Sequence, residues 1–162
     1  MPSVTLHAMS LGAVSHLAFG VRDMDRSLEF YRDRLGMEVT SDRVHATEPS
    51  PMYADPQAAT SRRVAQLRWT EDPDAAFLVL SSFPVASGEP LRLDQIGIHH
   101  VALWVKDLAG KAERLRSQGV RFVMEPAEVD ARGYGGSKGE RVLTCLFEDP
   151  DGIILQLDER LG

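Results

Sequence analysis

His16 and His100 occupy the same place in two copies of one pattern. The segments Ser15-His16-Leu17-Ala18-Phe19-Gly20-Val21-Arg22-Asp23 and His99-His100-Val101-Ala102-Leu103-Trp104-Val105-Lys106-Asp107 superpose at a constant offset of 84 residues. His16 falls on His100, Ala18 on Ala102, Val21 on Val105 and Asp23 on Asp107. Neutral imidazole nitrogens suit Fe(II), Mn(II), Ni(II), Co(II) or Zn(II). Two similar units facing each other would bring the two imidazoles together, and two converging imidazoles are most of a metal site. Side chains alternate along a strand, so His99 is expected on the sheet face opposite His100, beneath the helices.

The elements that must carry these histidines also read as a repeat. Residues 14–21 are apolar or small and predict a mostly buried strand. Asp23 caps a helix over 24–35, with Met24, Leu28, Tyr31 and Leu35 at helical spacing and Gly36 as its stop. A strand resumes over 37–40. The stretch 41–63 is expected to be loop, because Pro49, Pro51 and Pro56 oppose regular pairing. Strands over 63–70 and 75–83 follow, joined by the turn Glu71-Asp72-Pro73-Asp74. The order then recurs as a strand over 96–105, a helix over 108–118 closed by Gly119, and strands over 120–125, 141–148 and 153–158. The second turn, Glu148-Asp149-Pro150-Asp151, matches the first. We therefore expect a lead-in at 1–13, units at 14–83 and 95–162, and a joint at 84–94. Units that cannot bury their own sheet face must pack together, which favours an α+β fold with a curved mixed sheet around a cavity and helices outside.

The bulk composition narrows the partners. With 43% hydrophobic and 26% charged residues the chain suits a soluble globular protein. A formal charge of -6 argues against nucleic acid or an anionic membrane, both of which call for clustered basic surface. Arg62-Arg63 is the only adjacent basic pair. No apolar run approaches the ~18 residues that span a bilayer. Residues 1–13 lack the pattern of a secretion signal. A strand is expected over 4–9, with His7 on the surface. Cys145, the single cysteine, excludes an internal disulfide and fits a buried apolar position in a cytoplasmic protein.

The repeated strand, the helix segment Ser27-Leu28-Glu29-Phe30-Tyr31-Arg32-Asp33-Arg34-Leu35-Gly36-Met37 and the run Phe147-Glu148-Asp149-Pro150-Asp151-Gly152-Ile153-Ile154-Leu155-Gln156-Leu157 together resemble the vicinal oxygen chelate superfamily. That superfamily includes glyoxalase I, methylmalonyl-CoA epimerase, drug-resistance proteins and extradiol dioxygenases. The resemblance spans residues 14–158 and implies paired βαβββ modules, a cupped sheet and a bound divalent metal. Family ligands come from the first and last strands of each module, which correspond here to His16, Val79, His100 and Gln156. Val79 stands where glyoxalase I and the epimerase carry Glu or Gln. Gln156 stands where most metal-binding members carry Glu, and Asp158, two residues on and on the same strand face, is the competing third ligand.

A facial set of His16, His100 and Gln156 would leave open positions at which a substrate with two neighbouring oxygens chelates. With no carboxylate at 79 or 156, the balance favours Fe(II) and an extradiol-type dioxygenase acting on a catechol-like small molecule. The alternatives are a glyoxalase-like isomerase, epimerase or lyase, and a non-catalytic drug-binding protein. Tyr53, Arg68, Trp69 and Ser81 are candidate substrate contacts, and Tyr134, in a loop with four glycines, is a candidate proton donor. Glu48 and Glu140 are weaker candidate bases. Trp69 and Trp104 also suit core or interface positions. The family implies a homodimer.

Overall fold

The computed structural model describes residues 12–55, 60–85 and 88–162, so the strand expected over 4–9 and His7 lie outside the described residues. Among the described residues, eight strands form two four-stranded mixed sheets of the same order. The first joins β1 (His16–Gly20), β4 (Phe77–Ser82), β3 (Ser61–Arg68) and β2 (Glu38–Ala46), and the second joins β5 (His100–Trp104), β8 (Ile154–Leu161), β7 (Arg141–Glu148) and β6 (Phe122–Asp130). In each, the first strand runs parallel to the last and the other pairs are antiparallel. This is the α+β arrangement expected from the repeat.

The repeated aspartates both act as helix caps. Asp23 accepts from the Arg26 amide at 3.1 Å ahead of α1 (Met24–Leu28), and Asp107 accepts from the Gly110 amide at 3.2 Å ahead of α2 (Leu108–Ser117). The first helix then departs from the expected regular one. It continues as π-helix over Glu29–Arg34, with the Leu35 amide bonding the Phe30 carbonyl at 3.0 Å, until Gly36 ends it at φ 77°. Widening the turn here seats Phe30 and Tyr31 together in the core.

One hydrophobic core joins the helix-facing sides of both sheets, with Leu67, Leu78 and Leu80 of the first and Cys145, Phe147 and Leu157 of the second. Phe30 reaches Phe147 with ring centroids 6.4 Å apart. The fully buried Tyr31 hydroxyl donates to the Asp149 carboxylate at 2.9 Å, across 118 residues of chain. Burial of this shared core, at about 25 cal/mol per Å² of apolar surface, holds the two halves together.

Several boundaries differ from expectation, β6 among them running on to Asp130, and two of the differences have a clear physical reason. β2 extends to Ala46, well into the stretch read as loop. It is an edge strand, so backbone pairing to β3 and the Arg63–Asp42 ion pair at 2.7 Å sustain it without an apolar alternation. β5 begins only at His100, because the chain before it is irregular, with Gly97 at φ 141° and Ile98 exposed.

Candidate active site

Strand alternation sorts the side chains of both sheets. Leu17 and Phe19 turn to the core while His16, Ala18 and Gly20 stand on the open face. In the second sheet Val101 and Leu103 turn inward, leaving His100, Ala102 and Trp104 on the open face. The register places Val79 beside Ala18 and Gln156 beside Ala102. Small residues at 18, 20 and 102 keep the floor of the cup low.

A cavity of about 730 Å³ is lined by β1, the 52–55 loop, the segment 88–91 and the start of β5. Its walls are largely apolar, with Met52, Phe83, Leu91 and Ile98 among them. Polar groups at the wall include Tyr53, Ser81, His99 and His100. Tyr53 packs edge-on against Phe83, ring centroids 5.3 Å apart. Tyr53 and Ser81, two of the candidate substrate contacts, thus both line this cavity.

Arg68 and Trp69 do not line this cavity. Arg68 donates to the carbonyls of Asp72 and Pro73 at 3.2 and 3.4 Å and covers the Phe77 ring, so its guanidinium is occupied in holding the turn after its own strand. Trp69 lies beyond the end of β3 and is 36% exposed.

His99 corrects the expectation that it points beneath the helices. It precedes the strand, so alternation does not govern it, and it lines the same cavity as His100. The two Nδ1 atoms are 2.7 Å apart and the rings 4.8 Å apart at 30°. At that separation one Nδ1 carries a proton and the other accepts it. Burial, then the neighbouring His99, lowers the His100 pKa, against a smaller opposing pull from Asp158. His100 thus stays neutral below the usual histidine range.

Further along the same face, beyond the residues that line the cavity, lies a second polar group. Asp158, 2% exposed, accepts from the Gln156 side-chain amide at 2.8 Å and from the Tyr134 hydroxyl at 3.2 Å. The Gln156 amide also donates to the Tyr134 oxygen at 3.0 Å. Tyr134 belongs to a short 3-10 helix, Ala131–Tyr134, closed by Gly135 at φ 75°. Trp104 is 53% exposed and is not a core residue; it packs against the Tyr134 ring at 5.7 Å and beneath Arg160 at 4.6 Å. The Thr144 hydroxyl, buried across the ladder from Asp158, has no hydrogen-bond partner among the described residues.

A metal implied by the fold must be weighed against these donors. His16 is exposed on the first sheet, stacked on Phe77 at 5.4 Å with its Nδ1 3.1 Å from the Ser15 hydroxyl, and it is not part of the cavity wall that holds His100. Among the described residues no three His, Cys, Asp or Glu side chains gather at one point. Val79 is apolar, and His16, His100 and Gln156 together bring no negative charge to offset a dication. These residues do not assemble a finished metal site within the chain.

Comparison with known proteins agrees with the topology. Residues 13–157 match the family described as the Glyoxalase/Bleomycin resistance protein/Dioxygenase superfamily. The chain belongs to that superfamily. It is 30% identical over 90% of its length to a 2-epi-5-epi-valiolone epimerase of Actinomyces sp., covering 78% of that protein. It is 25% identical over 90% of its length to a putative lactoylglutathione lyase of Brassica oleracea var. gemmifera, but spans only 43% of that longer relative. The crystal structure of a glyoxalase family protein from Bacillus cereus, 18% identical, superposes with a TM-score of 0.72 over 97% of this chain and 99% of that one. This superfamily member thus has relatives named as epimerases and lyases, which favours the isomerase, epimerase or lyase alternative over the dioxygenase reading and the Fe(II) that went with it. No helix among the described residues is long and apolar enough to cross a membrane.

Two groups are faint in the sequence. Alternation sends His99 beneath the helices, and only Gly97 marks the break before the strand. Arg62 is half of a basic pair whose members alternation sends to opposite faces.

Proposed function

We propose that this protein is an isomerase or epimerase that moves a proton at a carbon beside a carbonyl in a small oxygenated molecule. The observation that carries the reading is the imidazole pair in the cavity wall, His100 with its Nδ1 2.7 Å from that of His99. A base must be unprotonated near neutral pH and must release what it takes up. Burial keeps His100 neutral. When its Nε2 accepts a proton, the Nδ1 proton donates more strongly to His99, and the new charge is shared by two rings. Return of the proton on the same face to the neighbouring carbon of the enediol, with a proton passing between its two oxygens, moves the carbonyl; inversion of the centre would call for a second donor on the opposite face.

Tyr134 is proposed to steady a substrate oxygen. Its hydroxyl sits between the Gln156 amide and the Asp158 carboxylate, so it can exchange one partner for a ligand without losing all its bonds. The epimerase and lyase names of the relatives support proton transfer as the class of reaction.

The test is exchange of the substrate carbon-bound proton with solvent. In D₂O, a panel of hydroxy ketones and cyclic polyol ketones should lose the signal of the proton beside the carbonyl in proton NMR when the protein is present. His100→Gln should slow this by at least about 100-fold, the usual range for a lost general base. Absence of exchange across the panel, or unchanged exchange in His100→Gln, would refute the reading. Oxygen consumption with catechols would restore the dioxygenase alternative.

A further inference from the structure

The open face of the first sheet carries an unbalanced positive charge. Cross-strand register puts Arg43 and His45 of β2 and Arg62 and Arg68 of β3 on this face, with Glu38 as its acidic member. That composition is unusual for a chain whose net charge is -6. Arg62 does not itself line the cavity, but it contacts two residues that do. Its Nε and Nη2 donate to the Ser81 hydroxyl at 3.1 and 2.5 Å, and its guanidinium lies 6.0 Å from the centroid of the Phe83 ring. Ser81 and Phe83 both line the cavity.

The contrast with its neighbour is informative. Arg63, on the helix-facing side, is held by two carboxylates, Asp25 and Asp42, each at 2.7 Å. Arg62 is half-buried, yet no carboxylate among the described residues lies within ion-pair distance of it. A serine hydroxyl and an aromatic face orient a guanidinium without neutralising it. Five N–H donors in a fixed fork exceed what one hydroxyl oxygen can accept, so the outer edge, Nη1 above all, is left for a planar or tetrahedral oxyanion.

We propose that Arg62 is the anchor for an anionic group, a carboxylate or a phosphate, on the substrate that enters the cavity between β1 and β5. Tyr53 and Phe83 flank the carbon skeleton, and the anchored end lies on the first sheet while the reacting carbon faces His100 on the second. The proposal rests on the cavity being the substrate site, but its test does not require turnover.

Amide chemical shifts would be followed while the full chain is titrated with inorganic phosphate or with malonate at constant ionic strength. Saturable shifts at Tyr53, Ser81 and Phe83 are expected with at least one of the two anions, and the tighter one identifies the group. Arg62→Gln should weaken that binding by about tenfold or more, and Arg62→Lys, which keeps the charge but loses the fork, should fall between. Arg141→Gln, which removes one positive charge elsewhere on the surface, should bind like the wild type. Lack of saturation with both anions in the wild type, or equal affinity in Arg62→Gln and wild type, would overturn the proposal. Saturable, Arg62-dependent binding without proton exchange on any ketone would leave the anion site standing and refute the isomerase reading alone.

Discussion

Replacing Tyr31 by Phe removes a single oxygen at the junction of the two halves. The wild-type hydroxyl donates at 2.9 Å to the Asp149 Oδ2, while Oδ1 is already used by the amides of Asp151 and Ile153 at 2.9 and 2.8 Å. With Tyr31 fully buried and Asp149 only 5% exposed, water cannot replace the lost donor at low cost. A hydrogen bond to a charged group is worth about 1.5–3 kcal/mol, and the orphaned Oδ2 puts the expected loss near 2 kcal/mol. For a chain of 162 residues that corresponds to a melting point lower by about 4–8 °C. Urea denaturation at several pH values is the direct assay.

The pH dependence has a definite sign. Burial raises the Asp149 carboxyl above its ordinary value, while hydrogen bonds from Ile153, Tyr31 and Asp151 pull it back. A carboxyl whose folded-state pKa lies above the unfolded one contributes stability at low pH that is lost as pH rises through the folded value. Without the Tyr31 donor that value moves higher still, so the Tyr31→Phe deficit should grow from about pH 4 to about pH 7. An unchanged urea midpoint, or a deficit of equal size at both pH values, would refute the argument.

Further outcomes follow from other contacts. Burial pushes the Cys145 thiol up to about 11, so a thiol reagent at pH 8 should leave the native protein unlabelled and react only after denaturation. Tyr134→Phe should cost less than about 1.5 kcal/mol of stability, since the residue is only part-buried, yet slow proton exchange on substrate by about 10- to 100-fold. A stability loss without a rate loss would make Tyr134 a packing residue.

Much of the architecture was legible because it depends on short-range periodicity. The apolar alternation around His16 and His100, the capping aspartates and the repeated Asp-Pro-Asp turns each span a few residues, and together they imply two similar sheets. The helix boundary was less legible. A π-helical register over Glu29–Arg34 leaves the apolar spacing almost unchanged, and what favours it is the partner that Tyr31 finds. The full length of β2 is not legible in the sequence because its stabilisation comes from edge pairing and the Arg63–Asp42 contact, neither of which appears as an apolar pattern.

By itself the sequence determined which residue types occupy the repeated positions. It also determined that His16, Ala18, His100 and Ala102 share an open strand face. Those facts follow from residue identity and a two-residue period. Only the tertiary structure decided that His99 joins His100 in the cavity, that Arg62 has no carboxylate partner among the described residues while Arg63 has two, and that Tyr134 meets Gln156 and Asp158. Each of these depends on where separate strands and loops come to rest, because hydrogen bonds and ion pairs act over a few ångströms of space while the chain between the partners runs for tens of residues.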